Sequence, residues 1–176
     1  MSGNPTSFVK RLGPLAVALA IVAADRITKV AAQNSINTYL GIPVIPGFLR
    51  LVHAENPGAA FGVLAEGNPI LRSVVLIGVS AVVLIFVGQA LWNSKGAFTS
   101  PWMRAGLSLI LGGAAGNLYD RVVRGTVTDF IEVYHGSWSF PAFNVADSAI
   151  TVGAILLLFD LMFMKRDAAG IAKHVP

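Results

Sequence analysis

The chain has 176 residues, of which 55% are hydrophobic and only 12% charged, with a mean hydropathy of +0.68. A soluble domain carries about 25% charged residues, and a chain this short cannot enclose such an apolar surplus in a core, so lipid is the expected solvent. Thirteen Lys+Arg against nine Asp+Glu leave +4 with no basic run, which argues against a nucleic-acid partner, and the lack of cysteine excludes disulfides, thiolate metal sites and a cysteine nucleophile.

Four runs are long enough to cross about 30 Å of hydrocarbon at about 1.5 Å per residue. They predict an all-α membrane protein, one integral membrane domain over residues 1–176. The first run, Leu12 to Ala32, follows Lys10-Arg11 and carries Asp25, Arg26 and Lys29 near its far end. It resembles a cleavable secretory signal, but the apolar pattern resumes at Ile27, so the segment is expected to stay as a span. The next loop, 33–69, holds a strand-like stretch from Tyr39 to His53 with a Pro46-Gly47 turn. In its second half, Asn56-Pro57-Gly58 predicts a type II turn presenting the Asn56 amide, which is able to orient a substrate carbonyl or an oxyanion.

The second span is Ile70 to Trp92 and the third Trp102 to Tyr119, joined by a short turn. Gly113, Asn117 and Arg121 recur at intervals of four, which sets a glycine, an amide and a guanidinium on one helix face. The following loop, 120–144, contains an alternating segment around Val127 to Val133, in which a strand places Asp129 among apolar neighbours. The fourth span is Val145 to Met164. Both loops are expected to form a small sheet on the outer leaflet. Lys10, Arg11, Lys95, Arg104, Lys165, Arg166 and Lys173 gather on the opposite side, which predicts cytoplasmic termini.

A carboxylate within or beside a span costs about 2.5 to 3.5 kcal/mol at the bilayer centre, so each one needs a reason. Asp25 has Lys29 one turn away, Asp120 adjoins Arg121, and Asp160 is expected at the inner surface near Lys165 and Arg166. Asp129 and Asp147 are not explained in this way. Both fall on the outer side, and the connection between them is long enough to return on itself, so they are expected to meet. Asn144-Val145-Ala146-Asp147 also reads as a helix start, with Asn144 as N-cap and Asp147 facing the dipole. Two carboxylates sharing a site cannot both ionise, and such a pair activates water for peptide hydrolysis. The apolar strand favours a proton on Asp129 and the helix end favours Asp147 as the base.

The blocks Asn56-Pro57-Gly58-Ala59-Ala60-Phe61, Leu111 to Arg121, Val127 to Phe130 and Phe140 to Ile150 together resemble the bacterial lipoprotein signal peptidases, or signal peptidase II. The resemblance implies an aspartic endopeptidase of the bacterial inner membrane, with four transmembrane helices, a periplasmic β-cradle and no cofactor or metal. Its substrate is a prolipoprotein cut on the amino side of a diacylglyceryl-modified cysteine, with membrane lipid as surroundings. The catalytic pair falls on Asp129 and Asp147, the polar site residues on Asn56, Asn117, Arg121 and Asn144, close approach on Gly113, and a tie to the outer region on Asp25. Pro57 stands where the familiar pattern has Thr. Two other readings use the same residues: a small transporter or channel binding ions or protons at the carboxylates, and an assembly factor docking other helices on its glycines.

Overall fold

The computed structural model describes residues 5–38, 41–58, 68–92 and 100–171. The 93–99 turn, Ala59-Ala60-Phe61 and the side chains of Lys165 and Arg166 lie outside the described residues. Four helices and four short strands follow one another as α1 (Pro5–Ser35), β1 (Ile42–Ile45), β2 (Leu49–Asn56), α2 (Pro69–Trp92), α3 (Pro101–Arg124), β3 (Val127–His135), β4 (Trp138–Ser139) and α4 (Val145–Ile171).

The helix ends are encoded locally. Asn68 Oδ1 accepts from the backbone N–H of Ile70 at 2.9 Å with Pro69 next in line, and Ser100 accepts from Met103 N–H ahead of Pro101. At the far end of α3, Gly125 takes φ 79 and returns its N–H to Arg121 O at 3.2 Å, a left-handed cap that glycine reaches without strain. The helix therefore runs on to Arg124, beyond the Tyr119 expected from hydropathy alone.

Helix α3 is the central element, with α1 and α4 packed closely against it. A Cβ on Gly112 would lie 2.7 Å from Ala18 O on α1, while one on Gly113 would meet Ala146 O and Ile150 on α4. Deeper along the same seam Gly106 and Gly153 face each other, each leaving room for the other's carbonyl. The glycine faces expected to bind foreign helices are thus occupied within this chain. Helix α2 packs on α3 through Val87, Ala90 and Leu91 against Met103 and Leu107, and its remaining apolar side chains, such as Ile70, Val82 and Phe86, stay exposed. By length and composition α2 and α4 are each able to cross a membrane.

The sheet runs antiparallel in the order β1-β2-β3-β4, at the helix end that carries the 33–69 and 125–144 connections. Pro46 and Gly47, at φ 76, make the expected β1–β2 turn. The first four residues of β3 are all buried, so Thr128 and Phe130 are covered as well as Asp129, because this stretch packs against Ala32 of α1 and Ile36 just beyond it.

Asp160 departs from the expectation of surface solvation. It is buried and accepts a hydrogen bond from Ser100 Oγ. The close Gly106–Gly153 seam carries α4 past the amino end of α3, whose exposed N–H groups favour a carboxylate there.

Candidate active site

Strand pairing and one helix cap bring the polar residues at the sheet end of the bundle together. In the β2–β3 ladder Asn56 lies opposite Val127, so it is a diagonal neighbour of Asp129 on one sheet face, and Asn56 Nδ2 donates to Asp129 Oδ2 at 3.0 Å. Asn56 Oδ1 accepts from Gly58 N–H at 2.9 Å, an Asx turn; the rest of the expected type II turn runs into residues outside those described. The amide expected to present itself to a substrate carbonyl is thus turned toward Asp129.

The chain then returns across β3. Phe143 bridges Ile131 through backbone bonds of 2.9 and 3.0 Å, which sets Asn144 beside Asp129. Asn144 caps α4 as expected: its Oδ1 accepts from Asp147 N–H at 2.9 Å, and Asp147 Oδ2 accepts from Asn144 N–H at 3.2 Å, a reciprocal capping box. Asn144 Nδ2 donates to Asp129 Oδ1 at 2.7 Å, and Asn117 Nδ2 donates to Asp147 Oδ1 at 2.7 Å. Each of the four carboxylate oxygens of Asp129 and Asp147 therefore meets an N–H, and Asn144 touches both residues.

Helix α3 supplies Gly113, Asn117 and Arg121 along the predicted face. The Arg121 guanidinium reaches Gly58 O and Asn117 O, each at 3.4 Å, and so ties the end of β2 to α3. Asp25 joins α1 to the start of α4 by accepting from Ala146 N–H at 3.0 Å.

Behind this layer lies a charged cluster that the sequence reading resolved only in part. Lys29 is fully buried, 2.8 Å from both Asp25 Oδ2 and Asp120 Oδ2, and it donates to Asn117 Oδ1 at 2.9 Å. The two carboxylate contacts are close ion pairs without good hydrogen-bond angles. Asp120 pairs on its other oxygen with Arg26 at 2.8 Å, correcting the expected partner Arg121, and Arg26 lies over the Tyr119 ring. Neighbours on a helix point about 100° apart, so Asp120 and Arg121 cannot share a direction. Two cations and two anions leave the cluster neutral. The Asp25–Lys29 spacing was its only visible signal in sequence, because the Asp120 contacts span more than ninety positions.

A second polar layer also escaped the sequence reading. Glu55 accepts from Thr126 Oγ1 at 2.6 Å and Thr128 Oγ1 at 3.0 Å, with His53 and Arg124 nearby, and Gln33 Nε2 donates to Thr128 Oγ1 at 2.6 Å. Burial pushes the Glu55 carboxyl up, but these donors outweigh it and hold the group below its usual range. Asp129 goes the other way. Burial, aided by the charge of Asp147, raises it to about 6 against the pull of the Asn56 and Asn144 amides and of Lys29. Among the described residues no group of His, Cys, Asp and Glu is arranged to hold a metal ion.

A family model for signal peptidase (SPase) II matches residues 17–163. The chain is 44% identical over 156 residues to the lipoprotein signal peptidase of Solibacter usitatus (strain Ellin6076), covering 89% of this chain and 94% of that protein. It is 44% identical over 160 residues to the lipoprotein signal peptidase of Pseudomonas syringae pv. tomato, covering 89% of each. Two solved bacterial membrane enzymes superpose with TM-scores of 0.75, at 31% identity over 85% of this chain and 87% of the first, and at 28% over 86% and 93% for the second. Matched in sequence over most of its length and in fold to membrane enzymes, this chain is an aspartic peptidase that belongs to the signal peptidase II family.

Proposed function

We propose that this protein removes the signal peptide from diacylglyceryl-modified prolipoproteins, cutting on the amino side of the lipidated cysteine, with Asp129 and Asp147 as the catalytic pair. The observation that carries the assignment is the shared setting of the two carboxylates, linked through Asn144 and met on every oxygen by neutral amides or backbone N–H. Neutral donors fix the positions of the two groups, and at Asp129 their pull toward the anion is outweighed by burial and by the charge of Asp147. Asp129, raised to about 6, is suited to hold the proton, and Asp147 to act as the base.

In the reaction Asp147 takes a proton from a water, whose oxygen attacks the scissile carbonyl carbon while Asp129 gives its proton to the carbonyl oxygen. Collapse of the gem-diol intermediate breaks the C–N bond: the leaving amine takes the proton held by Asp147, and one hydroxyl of the intermediate returns its proton to Asp129, which releases the carboxylic acid and restores the pair. Asn56, Asn117 and Asn144 orient the pair, Arg121 anchors the approach from β2, and Gly113 and Asp25 hold the start of α4 against α3 and α1.

The same reading makes the chain a single domain with four spans, about 12–32, 70–92, 102–119 and 145–164. Helices α1 and α3 are less apolar than α2 and α4, but their charges neutralise one another inside the bundle rather than facing lipid. Both termini then lie in the cytoplasm of a bacterial cell, with the sheet and dyad at the periplasmic face of the inner membrane. At that depth a diacylated cysteine leaves its chains in the bilayer while its scissile bond meets water. The test is a gel-shift assay of diacylated prolipoprotein in detergent: wild type converts it, while Asp129→Asn and Asp147→Asn remain folded and inactive. Substantial hydrolysis by either variant rejects the pair.

A further inference from the structure

Three asparagines donate to the dyad, and in each the polarity of the amide is set by its other end. Asn144 Oδ1 is held by Asp147 N–H and Asn56 Oδ1 by Gly58 N–H, both backbone donors. Asn117 is held differently, by the Lys29 ammonium at 2.9 Å. An ammonium only donates, so the amide oxygen must face it. The flipped amide sets NH2 against NH3+ in a site closed to water. With the oxygen fixed, Nδ2 is the atom left to meet Asp147 Oδ1, at 2.7 Å. Asn144 Nδ2 also approaches Asn117 Oδ1, but at 3.3 Å and while committed to Asp129 Oδ1 at 2.7 Å.

We propose that Lys29 is a positioning residue for peptide hydrolysis: by occupying Asn117 Oδ1 it fixes the polarity of that amide, so that a donor and never an acceptor faces Asp147. The inference rests on the dyad reading above. The charged groups around Lys29 are Asp25 and Arg26 on α1 and Asp120 on α3, with Arg121 farther along α3, Asp129 on β3 and Asp147 on α4. When Lys29 no longer donates, Asn117 is free to turn its oxygen toward Asp147, an arrangement that favours a protonated carboxyl over the anion that activates water.

The test uses full-length protein in detergent with diacylated prolipoprotein, and substitutions that keep the cluster neutral. Asp25→Asn/Lys29→Met removes one charge of each sign and leaves Arg26 with Asp120. Asp25→Asn/Lys29→Gln does the same but restores a donor. The amide introduced at position 25 has its oxygen held by Ala146 N–H, so it turns NH2 toward position 29 and leaves the new glutamine to donate onward to Asn117. Relative to wild type, the methionine pair is expected to lose about tenfold in kcat with KM within about twofold. The acidic limb of its kcat/KM profile moves up by about one pH unit, and the glutamine pair recovers most of both changes.

Wild-type kcat and pH profile in the methionine pair overturn the proposal, as do equal losses in both pairs that follow their melting temperatures. Where the methionine pair does not fold, Asn117→Asp presents an acceptor to Asp147 with Lys29 still in place, and a wild-type profile there overturns it equally. Asp147→Asn is assayed in parallel: turnover in that variant rejects the dyad itself, whereas its inactivity beside a wild-type-like methionine pair rejects only the role of Lys29.

Discussion

Asp120 and Asp129 are both buried carboxylates at the end of the bundle that carries the sheet, yet their surroundings are opposite in kind. Asp120 has a cation on each oxygen, Arg26 on one and Lys29 on the other. Asp129 has an amide on each, Asn56 and Asn144. A carboxylate between two cations is held by ion pairs on both oxygens, and removing it exposes uncompensated charge. Asp129 is held in position by amides that favour its anion, yet burial, aided by the charge of Asp147, outweighs them and raises it to about 6. The molecule thus keeps a layer of ion pairs beside a layer of amide-held carboxylates, the proposed catalytic pair, and Asn117 touches both.

The sharpest break in this contrast is loss of the dyad. Asp129→Asn and Asp147→Asn are each expected to lower turnover by about a thousandfold or more, the scale of a lost general acid or base, without loss of the folded state. Next comes the charged layer. Asp120→Asn takes away the carboxylate partner of Arg26, leaves Lys29 with Asp25 alone, and is expected to cost about 3 to 5 kcal/mol. Here thermal unfolding in detergent is the readout, and a melting temperature equal to that of wild type means the cluster is not holding α1 to α3. The two kinds of substitution separate the layers: those in the dyad remove activity and keep the folded state, and the one in the charged layer acts first on stability.

The pH dependence of stability sharpens the same contrast. Asp129 binds its proton more tightly in the folded chain, at about 6, than in the unfolded one, near 3.8. Its contribution is therefore complete below about pH 4 and is lost as pH rises through about 6, a change of up to about 3 kcal/mol. Wild-type stability minus that of Asp129→Asn should fall accordingly between pH 4 and pH 7, and a constant difference would count against the amide-held, proton-exchanging setting. Gly113→Ala follows at about 1 to 3 kcal/mol, because its Cβ meets Ala146 O and Ile150 and pushes α4 away from α3. The displaced α4 carries Asn144 and Asp147, so kcat falls with stability.

Much of this was legible in sequence wherever the cause is local. The presence of four helices, the Pro46-Gly47 turn, the Asn144 cap and the spacing of Gly113, Asn117 and Arg121 all depend on residues close together in sequence. Asp129 and Asp147 stood out because the membrane makes unexplained carboxylates costly. What escaped was set by helix packing. Lys29 read as a local partner for Asp25, although its contacts with Asp120 and Asn117 give it a wider place. The partner of Asp120 was misjudged for the same reason, since adjacency in sequence is not adjacency on a helix face. The burial of Asp160 depends on the Gly106–Gly153 seam, which hydropathy does not register.

That inner seam supplies the smallest effect and the control for the others. Ser100 has two tasks: its Oγ donates to Asp160 and accepts from Met103 N–H at the start of α3. Ser100→Ala removes both at once, an N-cap worth about 1 kcal/mol and the donor to a buried carboxylate worth about 1 to 3 kcal/mol. Asp160 is not left bare, because the amino end of α3 still offers it positive potential, so the loss belongs at the lower end of that range. Ser100 and Asp147 lie at opposite ends of the α3–α4 pair, and the glycines between them fix the seam through backbone contact rather than through the serine. Turnover of diacylated prolipoprotein should therefore stay within about twofold of wild type while the melting temperature drops. A large fall in kcat in Ser100→Ala would mean that the two ends are coupled along the helices, and that the outer layers do not set the geometry of the dyad on their own.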